Sequence, residues 1–510
     1  MRYMMILLVP FLLQAAVFDI AEFGAVADST TLNTAAIQRA IDSCHDKGGG
    51  MVRVPTGTFI TGTLVLKSHV HLHLESGAVL KGSSSLKHYM TIGSRRYGLL
   101  YAKKVRDIAI TGEGTLDGSG TPFHGQDSVH VGQDFDRDAT RQGQSYMRFK
   151  GDVEDGPITK HERPGMMVVI LQSENVQIRN LTFQDSPSWT FRIGDCDGVR
   201  ISGISILNNL LVPNSDGIHL TTSRNVRISD CDIRAGDDAL IVTGFGAEID
   251  VDGDDSGSDP DYAQRKVGNK SGYAENITVS NCVLKSRSSG IRVGYGMNPI
   301  RNCVFQNIVI HQSNRGIGVF SRDAGSIHNI LFSDMTISTR LHTGHWWGNG
   351  EPIHVSAIAQ NGDISAGEVS DIRFKNIIAE SEAGILIWGE RPDIIRDLVL
   401  DDIDLTIRTG GHTDNYGGNF DLRPVADLSR GIFSHNVPGL FAQNVKGMDI
   451  RHFSLDWQTN AHPFFTHGIE CRHVHGLYIE EFRGEAATAA ETAKAVQLTN
   501  CTMKHSTLKK

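Results

Sequence analysis

A nine-residue pattern recurs along the chain, with apolar residues at its second, fourth, seventh and ninth positions and a polar residue or glycine at its start. Apolar residues that alternate with polar ones indicate a β-strand with one buried face. The copies are NVQIRNLTF from Asn175, GVRISGISI from Gly198, NVRISDCDI from Asn225, NITVSNCVL from Asn276, NILFSDMTI from Asn329, DIRFKNIIA from Asp371, DLVLDDIDL from Asp397 and GMDIRHFSL from Gly447.

The spacing of these copies predicts how the strands are arranged. Where no insertion intervenes, their starts are 23, 27 and 26 residues apart. Strands at such spacing form stacked coils in which each strand pairs with its counterpart one coil on. We therefore predict an all-β fold, a right-handed parallel β-helix. A propeller would need a longer, four-strand repeat, and helical repeats would show a 3.6-residue period.

One segment follows a helical period instead. From Asn33 to Cys44 the apolar residues lie on one helical stripe, which starts at a potential Asn cap and stops before the glycines at 48–50. We predict a short helix that closes the N-terminal mouth of the solenoid. Residues 17–510 are expected to form a single domain around this one column.

The first sixteen residues have a different composition. A single Arg is followed by an apolar run from Met4 to Leu13 and then by small residues at Ala15 and Ala16. The run is too short to span a membrane and is typical of a secretory signal peptide. We therefore predict residues 1–16 to be a signal peptide and the protein to be secreted or periplasmic. The alternative is that these residues form a buried first strand.

The charge of the chain narrows the class of partner. Over 510 residues the formal net charge is −9, and no long run of Lys or Arg occurs. Binding of nucleic acid usually requires a clustered basic surface. We expect a monomer without a cofactor that binds a polysaccharide or oligosaccharide. No segment after the first sixteen residues is long and apolar enough to predict a membrane span.

Seven cysteines are spread along the chain. Cys231 and Cys282 occupy the same position of neighbouring repeats, where other copies have Leu181, Ile204 and Met335. This position predicts buried thiols that pack as small apolar side chains. Disulfide pairing does not follow from the spacing.

Acidic residues follow two neighbouring repeats. Asp216 stands in the stretch PNSDGIH, and Asp237 with Asp238 follows Gly236 in the next coil. Because adjacent coils are about 4.8 Å apart, these carboxyl groups can meet on the surface. Carboxyl groups held this close provide the acid and the base that glycosidic bond hydrolysis requires. Asp-Gly pairs also cap turns, and that reading stays open at this point.

Several motifs together resemble glycoside hydrolase family 28, the polygalacturonase and rhamnogalacturonase group. The resemblance covers Phe18 to about Arg340. It includes NSDG at 214–217, GDD at 236–238, FGAVADSTTLNTAAIQRAID, VPTGTFITGTLVLKSHVHLHLESGAVL, ITGEGTLDG and NLTFQDSPSWTF. It implies that Asp237 is the general acid, that Asp216 and Asp238 hold the attacking water, and that the configuration is inverted. Asn214 of the first motif is expected to contact the substrate.

The chain departs from the family at two motifs. Ser289 in SSGIRVG stands where polygalacturonases have the His of GHG, and Gly318 and Phe320 stand where they have the Arg and Lys of RIK. Loss of both cations removes charge-assisted contacts to a uronate. We therefore expect a substrate other than plain homogalacturonan. The candidates for a shifted carboxylate contact, each of which can equally be an ordinary surface Arg, are Arg292, Arg315 and Arg322.

Two insertions interrupt the repeats. The segment HTGHWWGNGEP places Trp346, Trp347 and Glu351 together, and we interpret it as a wall of the substrate groove. The alternative is that these aromatic residues only pack the insertion onto the solenoid. The acidic run DVDGDDSGSDPD, with Asp250 and Asp252, lacks the terminal Glu of a calcium loop, so we predict no metal site.

Three classes of function remain open. The acidic residues favour a hydrolase of an extracellular, pectic polysaccharide. A β-helical polysaccharide lyase or epimerase is the second possibility, although such enzymes normally use a Lys, Arg, Tyr or His base. The third is a glycan-binding solenoid without catalytic activity, which the changes at Ser289, Gly318 and Phe320 would fit.

Overall fold

The computed structural model describes residues 16–93, 95–129, 157–246, 272–343, 346–458, 462–487 and 492–504. It has the predicted fold, a right-handed parallel β-helix, with two long parallel sheets that run the length of the described chain. The segment predicted to be a signal peptide, apart from Ala16, and the acidic insertion around Asp250 and Asp252 lie outside these residues.

The first sheet carries the repeats found in the sequence. Its strands are β1 (Val17–Asp19), β2 (Gly50–Val54), β3 (Gly57–Thr61), β5 (Val70–Leu74), β6 (Ala78–Gly82), β10 (Arg106–Gly112), β11 (Thr115–Asp117), β15 (Glu174–Arg179), β16 (Thr182–Gln184), β18 (Asp197–Ser202), β19 (Ser205–Leu207), β21 (Arg224–Ser229), β22 (Asp232–Ala235), β24 (Ala274–Ser286), β26 (Ile300–Ser313), β28 (Ile327–Thr339), β30 (Val369–Ser381), β32 (Ile395–Ile407), β36 (Val445–Trp457), β38 (His475–Glu480) and β40 (Thr502–Met503).

The second sheet carries the candidate site. Its strands are β4 (Leu64–Val65), β9 (Leu100–Lys103), β14 (Val168–Leu171), β17 (Phe191–Gly194), β20 (Ile218–Thr221), β23 (Leu240–Gly244), β25 (Ser289–Gly296), β27 (Arg315–Ser321), β29 (Ile353–Ala357), β31 (Ile385–Gly389), β35 (Leu440–Gln443), β37 (Ile469–Arg472) and β39 (Val496–Thr499). Antiparallel pairs form at β7 (Thr91–Ile92) with β8 (Arg95–Arg96), β12 (Gly125–Val129) with β13 (Ile158–Thr159), and β33 (Asn419–Asp421) with β34 (Ile432–Ser434).

The polar residue that begins each repeat has a conformational reason. All eight starting residues have a positive φ, from 51° at Asp397 to 73° at Gly198. Asn, Asp and Gly tolerate this left-handed conformation better than other residues do. Asparagine side chains also bond from coil to coil, as where Asn276 Nδ2 donates to Oδ1 of Asn225 at 3.1 Å. The repeat therefore encodes a turn as well as a strand.

Like residues stack along the inside of the column. The rings of Phe305, Phe332 and Phe374 lie 5.0 and 5.1 Å apart on successive coils and are nearly parallel. Cys231 and Cys282 are buried and free, and Cys282 pairs in register with Ile308, as the sequence predicted. Burial of such side chains is the main favourable term in folding.

Helix α1 (Thr34–Asp46) packs its apolar stripe against the N-terminal coil, which confirms the predicted capping helix. The expected Asn cap is wrong in detail, because Asn33 makes no side-chain cap bond. Its Oδ1 instead accepts from the N–H of Val26 at 2.7 Å and so anchors the preceding loop. In the described parts of the chain the other helices are short: α2 (Thr413–Tyr416) and single 3-10 turns at Ile20–Phe23, Leu86–His88, Thr121–Phe123 and Leu428–Arg430.

Two of the long intervals between repeats are single coils with insertions. In the interval of 51 residues from Asn225 to Asn276, strand β21 pairs directly with β24. The 42 residues from Asn329 to Asp371 behave in the same way, because β28 pairs with β30. The extra residues therefore do not form additional coils of the column. Within the described part of the chain, no helix is long and apolar enough to cross a membrane.

Candidate active site

The acidic residues belong to a column of equivalent positions on successive coils of the second sheet. Each member stands two residues before the first inward-facing residue that is in register with the next coil. Backbone hydrogen bonds join neighbouring members; for example, the N–H of Gly217 donates to the carbonyl of Asp238 at 3.0 Å. In order along the solenoid, the members are Trp189, Asp216, Asp238, Ser289, Arg315 and Glu351. Asp216 and Asp238 are thus direct neighbours, about 4.8 Å apart along the axis.

Asp237 joins this pair from one residue earlier. The backbone N–H of Asp238 donates to Oδ1 of Asp237 at 2.9 Å, so the Asp237 side chain turns back toward its neighbour. Ser286 Oγ holds the carbonyl of Asp237 at 2.5 Å. Gly236 has no positive φ; it is required because a Cβ there would lie 2.3 Å from the carbonyl oxygen of Val212.

Asn214 and Arg292 are the two predicted binding residues that the structure brings to the acids. Asn214 Nδ2 lies 3.4 Å from Oδ2 of Asp237. Arg292 Nε lies 2.7 Å from Oδ2 of Asp238, whose other oxygen accepts from the N–H of Ser289 at 2.8 Å. Both carboxyl groups accept from a backbone N–H, but among the described residues only Asp238 forms an ion pair with a cation.

Burial and like charge shift the acids away from ordinary carboxyl behaviour. Burial and the charge of Asp238 raise the pKa of Asp237 to about 7. Burial, together with the charges of Asp237 and Asp238, raises the pKa of Asp216 well above its usual value. The Arg292 guanidinium opposes both shifts without cancelling them. A carboxyl group that stays protonated close to neutral pH can donate a proton.

His219, which the sequence motifs did not indicate, is fully buried beside the acids. Its Nδ1 lies 3.6 Å from Oδ2 of Asp216, and the Trp189 ring stacks on the imidazole with centroids 3.8 Å apart. The spacing of three residues between Asp216 and His219 can be read in the sequence, but the contact between them depends on how β20 is placed in the sheet.

At the positions where the family's His and Arg are missing, the neighbouring residue in register is an Arg. In register, Ser289 lies beside Arg315 and Gly318 lies beside Arg292 on the neighbouring strand. Strand β27 thus has glycine at 318, where the family has Arg. The residue in register with it on the preceding coil is Arg292. A Cβ at Gly318 would lie 2.4 Å from the Phe320 ring, so Phe320 requires glycine at this position.

Four of the predicted binding residues do not reach the acids. Arg315 and Glu351 are buried at 2% and 3% exposure and pair with each other at 3.6 Å. Arg322 is fully buried and donates to Ser356 Oγ and to the carbonyl of Leu422 at 2.9 Å each. Trp346 is buried, and its carbonyl accepts from Arg423. These contacts assign Arg315, Arg322, Trp346 and Glu351 to an internal cluster, which corrects the expectation of a direct substrate contact.

Trp347 lies at the surface of this cluster. It is half-buried, and the Arg423 guanidinium stands 5.2 Å above its ring. Strand β29 (Ile353–Ala357) follows this segment directly and lies within the sheet. Asp421 of β33 ties the insertion down by accepting from the N–H of Gly348 at 2.8 Å.

A continuous row of rings links the acids to this buried cluster. Consecutive centroids are 3.8 to 6.5 Å apart, and the row consists of Trp189, His219, Phe245, Tyr295, Phe320 and His354. Aromatic rings at such distances attract one another beyond the apolar area that they bury. Among the described residues, no group of three or more His, Cys, Asp or Glu side chains is arranged to hold a metal ion.

Comparison with known proteins identifies the family. The profile of Glycosyl hydrolases family 28 matches residues 44–323, more than half of the chain. The chain belongs to glycosyl hydrolases family 28. A probable polygalacturonase of Vitis vinifera is 32% identical over 44% of this chain and 43% of its own length. An exo-poly-alpha-D-galacturonosidase of Dickeya chrysanthemi is 27% identical over 46% of this chain and 43% of its own length. The chain thus spans less than half the length of these two relatives.

Two solved structures of carbohydrate-active enzymes share the fold. The family 28 exopolygalacturonase of Yersinia enterocolitica superposes with a TM-score of 0.62 at 18% identity, covering 92% of this chain and 79% of that one. The endo-xylogalacturonan hydrolase of Aspergillus tubingensis gives a TM-score of 0.51 at 15% identity over 96% of this chain and all of that one. At these identities the likeness concerns the β-helix alone.

Proposed function

We propose that this protein hydrolyses O-glycosidic bonds in a pectic polysaccharide or oligosaccharide by an inverting acid and base mechanism. The observation that carries the proposal is the meeting of three buried carboxyl groups from adjacent coils, with the pKa of Asp237 raised to about 7. Membership of family 28 supports the reaction class, and the polygalacturonase relatives support a pectic substrate.

Asp237 is the proposed general acid. At mildly acid pH it holds a proton that it can give to the leaving glycosidic oxygen as that bond breaks. Asn214 Nδ2, at 3.4 Å from Oδ2, fixes the orientation of the carboxyl group. Without protonation the leaving sugar would depart as an alkoxide, which is far less stable, so the rate depends on this proton.

Asp238 and Asp216 are the proposed partners of the attacking water. Asp238 is anchored through Arg292 and the N–H of Ser289, so its carboxylate has a fixed orientation. In the described chain, Oδ1 of Asp216 is buried and accepts no hydrogen bond, which leaves it able to accept one from a water molecule. The water loses a proton to this pair and attacks the anomeric carbon from the face opposite the leaving group.

The substrate is expected to differ from plain homogalacturonan. Arg292 is the one Arg among the predicted candidates that lies beside the acids, and Asp238 already offsets part of its charge. A single shared cation gives weaker uronate recognition than the two cations of the family motif. Rhamnogalacturonan, a pectic side chain or another acidic glycan fits such a subsite better.

The reaction can be tested with a panel of pectic and other acidic polysaccharides. We expect new reducing ends without new ultraviolet absorbance on at least one substrate, and proton NMR should show the inverted anomer first. Absorbance that rises with the reducing ends would mean elimination, the lyase alternative. Binding without either signal would favour a non-catalytic glycan-binding role. A retained anomer would leave hydrolysis in place and contradict the inverting mechanism.

The remaining parts of the proposal concern the location of the protein and its oligomeric state. Export through the apolar run at residues 4–13 would bring the enzyme to extracellular polysaccharide. We propose that it acts there as a monomer. Cell fractionation with and without residues 1–16 tests export, and sedimentation velocity tests the oligomeric state.

A further inference from the structure

Strand β25 contains an irregularity next to the acids. Between Val242 and Gly244 of β23, the partner strand β25 advances from Val293 to Gly296, so it holds one extra residue. Three consecutive residues there have positive φ: 138° at Gly294, 65° at Tyr295 and 97° at Gly296. Such bulges often lie beside active sites, where they redirect a side chain.

The bulge brings Tyr295 to the same face as Arg292. Residues three apart in a regular strand point to opposite faces, so without the extra residue the two side chains would be separated by the sheet. With it, the Arg292 guanidinium carbon lies 4.6 Å from the centre of the Tyr295 ring. A tyrosine with φ near 65° is uncommon, and strain of this kind is found mainly at functional sites.

The flanking glycines show that the strand is built for this geometry. A Cβ on Gly294 would lie 1.9 Å from the carbonyl oxygen of Phe320, and a Cβ on Gly296 would lie 2.3 Å from the carbonyl carbon of Gly244. Larger residues at either position would remove the bulge. The sequence GYG at 294–296 therefore determines the position of the Tyr295 ring.

Arg292 is held at two points and open at its end. Its Nε contacts Asp238 at 2.7 Å, and its plane is covered by the Tyr295 ring. Considering all described residues, the two terminal guanidinium nitrogens make no hydrogen bond, and the residue keeps 9% of its surface exposed. A guanidinium with free terminal N–H groups binds a carboxylate through two parallel hydrogen bonds.

We propose that Tyr295 is a positioning residue that holds Arg292 as the uronate-binding group of this enzyme, in place of the cations missing at 318 and 320. The inference rests on the proposed glycosidase function and adds a substrate feature: the sugar beside the cleaved bond carries a free carboxylate. Esterification of that carboxylate removes its charge and blocks the two-point contact with Arg292.

The test compares two substitutions on two substrates. Tyr295→Leu keeps apolar bulk without a ring face, whereas Tyr295→Phe keeps the face. On a cleaved pectic oligosaccharide with free carboxylates, we expect Tyr295→Leu to raise KM roughly tenfold with little change in kcat. Tyr295→Phe should behave as the wild type, and the methyl-esterified substrate should show no difference among the three proteins.

The outcomes separate this inference from the proposed function. If the wild type hydrolyses no member of the polysaccharide panel, the glycosidase proposal fails. If the wild type is active but Tyr295→Leu raises KM equally on free and esterified substrates, or lowers only kcat, Tyr295 does not act through carboxylate binding. A Tyr295→Phe variant as impaired as Tyr295→Leu would exclude stacking as the cause. Unchanged thermal unfolding of both variants is the control for folding.

Discussion

Two carboxylate–histidine pairs occupy equivalent positions on one sheet, yet their surroundings give the acids opposite properties. Asp216 with His219 starts β20, and Glu351 with His354 starts β29; in each pair the His Nδ1 lies 3.6 Å from a carboxylate oxygen. Both pairs are almost completely buried, and each His packs against an aromatic ring. The local sequence patterns, DGIH and EPIH, are nearly the same.

The difference lies in the charges that surround each pair. Around Asp216 there are two further carboxyl groups and one Arg, so burial and repulsion raise its pKa. Around Glu351, burial also raises the pKa, but Arg315 and His354 outweigh it and the pKa is lowered. Asp421, in the same cluster, has its pKa lowered because Arg423 and Arg315 overcome the effect of burial. Proton donation is suited to the first environment, and fixed ion pairs are suited to the second.

An acid–histidine motif in a solenoid therefore does not by itself indicate a catalytic site. The cluster around Glu351 fastens the segment 346–350 and strand β33 onto the sheet, through contacts such as Arg423 Nε to Asp421 Oδ1 at 2.8 Å. The environment of Asp237 is therefore suited to proton donation, whereas the cluster around Glu351 holds a segment of the chain in place.

The strongest test of this division is removal of the proposed general acid. Asp237→Asn keeps the shape of the side chain but cannot donate a proton, so we expect reducing-end release to fall by roughly 10²–10⁴-fold. Asp404→Asn, at an exposed position of β32, is the matched control and should leave the rate unchanged. Full activity of Asp237→Asn would assign the acid role to another residue, and circular dichroism would verify that the variant is folded.

The second test breaks the other cluster. Arg423→Met leaves the buried Asp421 carboxylate without its closest cation, and loss of one partner from a buried pair costs about 3–5 kcal/mol. Urea unfolding measures the loss. Activity per folded molecule should stay near that of the wild type, because no hydrogen bond or ion pair between described residues joins Arg423 to the acids around Asp237.

A double variant gives the control for that prediction. Asp421→Asn combined with Arg423→Met removes the unpaired charge and should recover part of the lost stability. If Arg423→Met instead abolished hydrolysis without reducing stability, the Glu351 cluster would belong to the catalytic site, and the contrast drawn between the two regions would be wrong.

The sequence predicted the fold better than it predicted the site. The repeats gave the strands, the capping helix and the buried positions, because period-two patterning is local and is repeated many times. The family motifs named Asp216, Asp237 and Asp238, and these do meet. The roles of Arg315 and Arg322 could not be read in the same way, since Arg315 pairs with Asp421 and Arg322 donates to the carbonyl of Leu422, both about a hundred residues further along the chain.

Tyr295 and His219 were missed for a related reason. Nothing in a linear pattern shows that a bulge turns Tyr295 outward, because its alternation with Val293 suggests an inward position. His219 looked like one polar residue within an apolar strand. Both become visible only when register is known, since register determines which side chains of neighbouring coils face the acids.

The smallest expected effect is also the sharpest contrast, because the two clusters should respond to pH with opposite signs. The folded-state pKa of Asp237 is raised from 3.8 to about 7. The wild type should therefore lose stability as pH rises from about 4 to 7, because the buried carboxyl group must become charged. Glu351 has a folded-state pKa below its usual 4.5, so its contribution is complete above that value and is lost as pH falls through the lowered pKa. Urea unfolding of Asp237→Asn and Glu351→Gln between about pH 3 and pH 8 measures both. We expect Asp237→Asn to gain stability over the wild type toward pH 8. Glu351→Gln should be less stable than the wild type at high pH and should approach it only as pH falls below 4.5, where Glu351 becomes protonated. Changes of the same sign would mean that the two regions share one electrostatic environment.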